Sequence, residues 1–206
     1  NIKKEHARRA DLYYYRDSIF NISINPIIGG RLYSNKNGSF RHQWIGGELN
    51  AYAGDNWSFY ASFRDNIVTE DIMDESYLTT RRGEDNKSGT GFSDMRGGAY
   101  YSWDWGHVGF VKEHFVWGNN LHASNIFSDK IPSVPQLKFH LNPVDWFEFN
   151  YIHAWLVSEV VDSTRIFNFG NGAVRKEFYP KYLAANMYSF HLFKNFTASV
   201  GNSMVY

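Results

Sequence analysis

The sequence predicts an all-β chain, an antiparallel up-and-down transmembrane β-barrel of the outer-membrane class. Three observations predict this fold class: apolar and polar residues alternate with a period of two, short turns alternate with long polar connections, and aromatic residues border the short turns. Period-two alternation is typical of strands with unlike faces. Outer-membrane barrels combine strands of about 9 to 11 residues with short periplasmic turns, long external loops and aromatic girdles.

The composition excludes several classes of protein and site. The 206 residues contain 21 Lys and Arg against 21 Asp and Glu, so the basic excess of a nucleic-acid-binding protein is missing and we expect no nucleic-acid partner. The chain has no Cys, which excludes disulfides, thiolate metal sites and cysteine nucleophiles. Aromatic residues make up 18% of the chain, yet the mean hydropathy is −0.46. A barrel with an apolar outer face and a polar lumen explains both values.

The N-terminal residues are predicted to precede the barrel. Residues 1–10 are rich in charge and lack the apolar core of a signal peptide. No run in the chain approaches the roughly 18 apolar residues of a membrane-spanning helix. Because residue 1 is Asn, we expect the chain to begin inside a longer, processed polypeptide. We predict a periplasmic or lumenal segment over residues 1–20, with a short helix over 3–10, followed by barrel strands and loops over 21–206.

The strands are predicted from the alternation. In residues 57–64 the side chains of Trp57, Phe59 and Phe63 share one face, and polar side chains such as Ser58 share the other. The same alternation occurs in residues 45–53, 136–141 and 196–201. The residues that we expect to contact lipid are Trp57, Phe59, Phe63, Leu137, Phe139, Phe196 and Val200.

Short turns and long connections distinguish the two ends of the predicted strands. Each short turn contains the Asn, Asp or Gly that tight turns favour and is bordered by aromatic residues. The short turns fall at residues 54–56, 104–107, 142–145 and 193–195. The long connections fall at about residues 65–94, 118–135 and 158–176.

Two soluble folds compete with the membrane barrel. A β-sandwich buries one face of each strand, but its loops seldom differ so much in length between the two ends. A soluble up-and-down barrel of the lipocalin type has an apolar interior and shorter loops. Only the membrane barrel accounts for aromatic residues at the short turns. We count about nine strands, one before a connection at residues 34–38 and then four hairpins. Single-chain bacterial barrels close with an even number, so we expect the chain to be part of a larger barrel.

Several motifs resemble the Wzi capsule-assembly family of outer-membrane proteins. A strand over residues 108–116 ends in Trp117-Gly118, a polar loop follows, and Pro-containing residues 131–135 lead into the next strand. The supporting segments are residues 13–17 (YYYRD), 24–27 (INPI), 147–151 (FEFNY) and 200–206 (VGNSMVY). The resemblance implies an interior portion of a large barrel in the outer membrane, and a role in binding or anchoring capsular or extracellular polysaccharide.

Charged residues within the predicted strands should face the lumen, because Arg or Lys facing lipid costs about 2–4 kcal/mol near the midplane. Lys112-Glu113-His114 conflicts with this rule, since Glu113 then faces outward with Val111 and Phe115. A bulge or a position near the lipid headgroups resolves the conflict. We expect a paired and hydrated lumenal network that includes Glu48, Lys138, His140 and Glu148. Further charged residues in strand positions are Arg64, Lys112, His114 and His191.

The residues after the Trp117 strand are the candidates for carbohydrate binding. Trp117, Asn119, Asn120 and His122 combine an aromatic face for stacking with polar groups for hydroxyls, although Trp117 also fits the external aromatic girdle. A second loop carries a pair of arginines suited to anionic sugars or lipopolysaccharide phosphates, or to balancing the acidic residues 70–75 in the same loop. That pair is Arg81 and Arg82.

No motif predicts catalysis or a bound cofactor. The chain has no G-x-S-x-G elbow, and the acidic residues 70–75 lack the spacing of a calcium loop. We therefore expect a non-catalytic protein of the cell outer membrane, without cofactor or metal. Its expected partners are membrane lipid, lipopolysaccharide, surface polysaccharide and other outer-membrane proteins. The alternative is a structural or channel-forming subunit, porin-like, in a larger multi-protein assembly.

Overall fold

A computed structural model describes residues 10–36, 38–68, 91–117, 127–128, 133–158, 160–169, 172 and 174–206. The chain is all-β, as predicted, and the described residues contain no helix. The predicted helix over residues 3–10 falls almost wholly outside the described residues. The strands are β1 (Tyr13–Arg16), β2 (Phe20–Asn35), β3 (Gly38–Ala53), β4 (Trp57–Val68), β5 (Gly91–Trp103), β6 (Gly106–Glu113), β7 (Val116–Trp117), β8 (Phe127–Ser128), β9 (Val134–Val144), β10 (Phe147–Leu156), β11 (Val161–Asn168), β12 (Val174–Phe178), β13 (Lys181–Phe193) and β14 (Phe196–Val205).

Ten of the strands follow one another in a single hydrogen-bonded order, β1-β2-β3-β4-β5-β6-β9-β10-β13-β14. The other four form two small antiparallel pairs, β7 with β8 and β11 with β12. The order ends at β1 and β14, so the sheet is open in the described part of the chain. The sequence predicted about nine strands, and the additional one is β1.

Strand β1 lies within the predicted N-terminal segment and pairs antiparallel with β2, where Tyr13 is opposite Ile24. The turn between them is fixed by Asp17, whose Oδ1 accepts hydrogen bonds from the backbone N–H groups of Ile19 and Phe20, both at 2.8 Å. These side-chain bonds satisfy donors that a tight turn leaves free. The alternation of β1 is too short to be recognised from sequence.

The four predicted short turns are confirmed. Each joins two consecutive strands of the ten-stranded order, at residues 54–56, 104–105, 145–146 and 194–195. Gly54 has a φ of 59°, a left-handed conformation that glycine adopts without steric cost. At the other strand ends the structure differs from the prediction. Strand β4 continues to Val68, and the predicted connection 158–176 contains the two-stranded β11–β12 sheet.

The chain divides into two compact units. The first unit comprises residues 1–102 and 111–133, and the second comprises 103–110 and 134–206. In the first unit, β2, β3, β4 and β5 pair in continuous antiparallel register, with Ile24 opposite Leu49 and Ala51 opposite Phe59. In the second unit, β9, β10, β13 and β14 also pair antiparallel, with Tyr151 opposite Asn186, but the register shifts between Phe147 and Phe149 and between His191 and Phe193.

The two faces of the first unit have an inverted polarity. Along β4 the exposed residues alternate strictly with less exposed ones from Trp57 to Arg64, and the exposed ones are the apolar ones. We call the side of Trp57 and Phe59 the apolar face, and the side of Ser58 and Tyr60 the polar face. The register extends the apolar face onto β2, where Ile28 is 76% exposed and Leu32 is 71% exposed. Exposed apolar faces are the reverse of what water favours.

The second unit shows the same inversion. On β14, Phe196 is 54% exposed and Val200 is 63% exposed, while Ser199, on the opposite face, exchanges a hydrogen bond of 2.8 Å with Ser189 of β13. Leu137 is also exposed, and Phe139 is half-buried with its ring centroid 6.1 Å from that of Trp103. The alternation predicted for these strands therefore places the residues on the expected faces.

Most of the buried apolar residues lie toward the strand ends farthest from the short turns. The exception is Ala51, which lies near the turn at residues 54–56. The others are Val68, Phe92, Val111 and Phe115 in the first unit, and Val134, Ile152, Ala154, Leu183 and Ala185 in the second.

Candidate functional site

The polar face of the first unit carries a cluster of ionised and phenolic side chains, which we call the charged cluster: Tyr60, Asp94, Arg96, Glu113 and His114. Strand pairing brings Tyr60 and Arg96 onto this face, because β4 and β5 are in register with Ser62 opposite Arg96. The Tyr60 hydroxyl donates a 3.0 Å hydrogen bond to Glu113 Oε2. Arg96 Nη1 lies 3.7 Å from Glu113 Oε1, and Arg96 Nε lies 3.5 Å from Asp94 Oδ2.

The charged cluster also includes contacts at the end of β6. The backbone N–H of His114 donates a 3.0 Å hydrogen bond to Glu113 Oε1, and His114 Nε2 lies 3.8 Å from Asp94 Oδ1. Glu113 therefore accepts hydrogen bonds from the Tyr60 hydroxyl and from the His114 N–H. The ion pairs of Arg96 are longer, at 3.5 and 3.7 Å, and together these contacts join β4, β5 and the end of β6.

The conflict at Lys112-Glu113-His114 is resolved with Glu113 on the polar face. Glu113 binds Tyr60 there, and Val111 and Phe115 are both 1% exposed. Within β6, which ends at Glu113, alternation places Lys112 on the side opposite the charged cluster. Lys112 therefore departs from the prediction that charged strand residues share the polar side.

The polar face of the second unit carries a second group, which we call the histidine cluster: His107, His140, Glu148, Asn150 and His191. His140 Nδ1 is 2.9 Å from Asn150 Oδ1, and the Asn150 amide donates a 2.6 Å hydrogen bond to Glu148 Oε1. Glu148 Oε1 lies 3.7 Å from His140 Nδ1, and Glu148 Oε2 lies 3.6 Å from His191 Nε2. The ring of His107 stacks on that of His140, with centroids 4.8 Å apart.

The four residues predicted to line the lumen all lie on polar faces. The structure brings His140 and Glu148 together in the histidine cluster. Lys138 alternates with Phe139 and shares the face of His140. Glu48, in the first unit, is opposite Asn25 on one side and Ser62 on the other. Sequence reasoning missed Tyr60, Asp94 and Arg96 as a group, although the alternation in residues 57–64 placed Tyr60 on this face.

Of the predicted carbohydrate-binding residues, only Trp117 is within the described residues. It belongs to the two-stranded β7–β8 sheet, where it is opposite Phe127 and the ring centroids are 5.3 Å apart. Phe127 in turn contacts the buried Phe115, with centroids 5.7 Å apart. The remaining candidates, Arg81, Arg82, Asn119, Asn120 and His122, lie outside the described residues.

Within the described ranges, no group of three or more His, Asp or Glu side chains is arranged to hold a metal ion. The same residues include no helix of the length and apolarity needed to cross a membrane. Comparisons with protein-family models, with curated proteins and with solved structures find no match to the chain. The resemblance to the Wzi family therefore stays a prediction from the quoted motifs.

Proposed function

We propose that the chain is the membrane-embedded part of a larger β-barrel in the outer membrane of a Gram-negative cell. The observation that carries this proposal is the inverted polarity of the strands. Ile28, Leu32 and Val200 are among many large apolar side chains that are exposed, while polar groups on the opposite face are hydrogen-bonded, as Ser189 is to Ser199. A membrane barrel has this arrangement because lipid surrounds its outer face and water fills its lumen.

The extent of the apolar face supports embedding in lipid. On β2 it runs through alternate positions from Phe20 to Leu32. Thirteen strand residues tilted by about 45° span about 30 Å, the thickness of the hydrocarbon core. In water, a patch of this size exceeds the few hundred Å² that soluble monomers expose. Aromatic residues mark one end of the face, where the rings of Trp57 and Tyr101 are 5.1 Å apart, as in an interfacial girdle.

In this setting, we propose that the chain binds or anchors capsular or extracellular polysaccharide at the cell surface without catalysis. The long connections lie at the strand ends opposite the short turns, and in outer-membrane barrels the longer loops project from the cell. Trp117 begins one of these connections and is held against Phe127. A ring that is already immobilised loses little entropy when a sugar stacks on it. The motifs that resemble the Wzi family imply the same function.

The test is retention of extracellular polysaccharide by cells that carry Trp117→Ala together with Asn120→Ala. We expect retention to fall while the abundance of the barrel in the outer membrane is unchanged. The matched control is Trp105→Ala, which removes an exposed Trp from a short turn at the opposite strand ends. Normal retention in the double variant, or an equal loss in the control, would exclude the Trp117 connection as the binding site.

A structural or channel-forming subunit is the second candidate, and the charged residues on the polar faces favour it. However, the polar face of the first unit does not stay polar along its length. Toward the long connections it carries Phe92 and Val68, which are buried. Apolar constrictions gate channels by dewetting, so these buried apolar residues favour binding at the surface over a permanently open channel. Measurement of conductance in planar bilayers separates the two functions.

A further inference from the structure

Three tyrosines lie together on the polar face of the first unit, near the short turns. We call Tyr52, Tyr60 and Tyr100 the tyrosine platform. Tyr52 and Tyr100 flank Ser58 in one row across β3, β4 and β5, and Tyr60 lies in the next row. The rings of Tyr60 and Tyr100 are nearly parallel, at 17°, with centroids 6.3 Å apart. None of the three is fully buried, and Tyr52 is 52% exposed.

The platform is rigid and is bordered by hydrogen-bonding groups. The hydroxyl of Tyr60 is held by Glu113, which in turn is held by Arg96. Asn50 is opposite Tyr60 in the strand register, and Glu48 is opposite Ser62 in the next row. Amide, carboxylate and guanidinium groups therefore lie beside flat aromatic faces. This composition suits sugars, whose rings present apolar C–H faces and a rim of hydroxyls that donate and accept hydrogen bonds.

We propose that the tyrosine platform is a second carbohydrate site, on the lumenal side of the sheet, for a neutral oligosaccharide. One sugar ring stacks on the Tyr60–Tyr100 pair, and its hydroxyls bond to Asn50 and to the charged cluster. The site is distinct from the Trp117 connection, since the platform lies beside the short turns. This inference rests on the proposed function in one respect, because the polar face must be the face in contact with water.

The charges beside the platform balance, so they do not attract an acidic sugar. Among the described residues of this part of the polar face, the acidic ones are Glu48, Asp94 and Glu113, and the basic ones are Arg16, Arg64 and Arg96. Arg96 is already shared between both carboxylates of the charged cluster. The carboxylate of a uronic acid would lose its hydration without an excess of positive charge to compensate for it, whereas a neutral hexose polymer needs only hydrogen-bonding groups.

The experiment is isothermal titration calorimetry of the full chain in detergent micelles. The probes are the neutral hexasaccharides of α-1,4-glucose, β-1,4-glucose and α-1,6-mannose, with a hexasaccharide of galacturonic acid for comparison. We expect at least one neutral probe to bind, and to bind more tightly than the acidic one. Tyr100→Leu, which keeps apolar bulk and removes the ring, should weaken that binding about tenfold, a change of about 1.4 kcal/mol. Tyr100→Phe, which keeps the ring, should retain it.

The matched control is Tyr101→Leu, the adjacent residue on the same strand, whose side chain lies on the apolar face against Trp57. Its affinity should equal that of the unchanged chain. No binding of any neutral probe, tighter binding of the acidic one, or equal weakening by Tyr100→Leu and Tyr101→Leu would overturn the inference. Trp117→Ala with Asn120→Ala should leave this binding intact. Weakening by that double variant alone would overturn the lumenal site while leaving the proposed surface function standing.

Discussion

Adjacent residues of one strand lie in opposite environments, and Ser62 and Phe63 of β4 show this most clearly. Phe63 is exposed on the apolar face, where it is opposite Gly47 and Met95. Ser62 lies on the polar face between Glu48 and Arg96. Since the strand period is two, adjacent positions along the chain lie on opposite faces of the sheet. The same substitution at these two positions should therefore have different effects.

We predict that Phe63→Lys impairs assembly of the barrel and that Ser62→Lys does not. A lysine on the lipid face costs about 2–4 kcal/mol near the midplane, whereas a lysine at position 62 is adjacent to Glu48 and to water. The measurement is the free energy of unfolding of the protein in lipid vesicles, determined by titration with urea. Equal tolerance of lysine at the two positions would show that the faces have been assigned incorrectly.

The sequence predicts which face a residue takes only where alternation is unbroken. It places Trp57, Phe59 and Val200 on the correct side because polar and apolar residues there differ strongly. It leaves the position of Glu113 open, because that position depends on Arg96 and Tyr60, from strands about 20 and about 50 residues earlier in the chain. The pairing of those strands, and not the local pattern, decides where this carboxylate lies.

At the scale of elements, the hairpin β11–β12 is held by polar contacts. The carboxylate of Asp162 accepts hydrogen bonds from the Thr164 hydroxyl at 2.6 Å and from the Thr164 N–H at 2.9 Å. Arg165 lies between Asp162 and Glu177 of the partner strand, at 3.7 and 3.5 Å. The hydrogen bond from the Thr164 hydroxyl, together with that from its backbone N–H, lowers the pKa of Asp162 below its ordinary value of 3.8.

The lowered pKa of Asp162 determines in which direction the stability of this hairpin changes with pH. Because the folded state holds the charged form, its stabilisation is fully present above pH 3.8 and is lost as the pH falls through the lower pKa of the folded state. We expect the hydrogen-exchange protection of the Thr164 amide to be constant from neutral pH down to about that value and to fall below it. Asp162→Ala should remove the protection at every pH. Undiminished protection in Asp162→Ala would contradict the role assigned to this carboxylate.

The short turns are confirmed, whereas the described boundaries of the long connections differ from the prediction, since β4 continues to Val68 and β11 lies within residues 158–176. A turn such as residues 54–56 is determined locally, because Gly54 supplies a positive φ and Asn56 bonds to the next hairpin through Ser102 O at 2.6 Å. The β7–β8 pair has no such local signal, since it consists of two residues on each strand and depends on the contact between Trp117 and Phe127. The aromatic pairs of the candidate site cannot be predicted from the sequence for the same reason, because they form between elements that are distant in sequence.

In both units, apolar faces are exposed and polar side chains pair on the opposite faces. The antiparallel all-β class follows from alternation and turn spacing. Neither the tyrosine platform nor the histidine cluster can be predicted from the sequence, since both require the register of several strands. The proposed embedding in lipid would account for the apolar faces, the aromatic residues at the short turns and the negative mean hydropathy together.

The most direct test of embedding is site-directed spin labelling at two adjacent positions, Ser58 and Phe59. The chain has no native Cys, so single cysteines can be introduced without background. In proteoliposomes, the label at position 59 should collide with oxygen, which partitions into lipid, and the label at position 58 should collide with a water-soluble nickel complex. Equal accessibility at the two positions, or a water-exposed label at position 59, would contradict a membrane-embedded sheet.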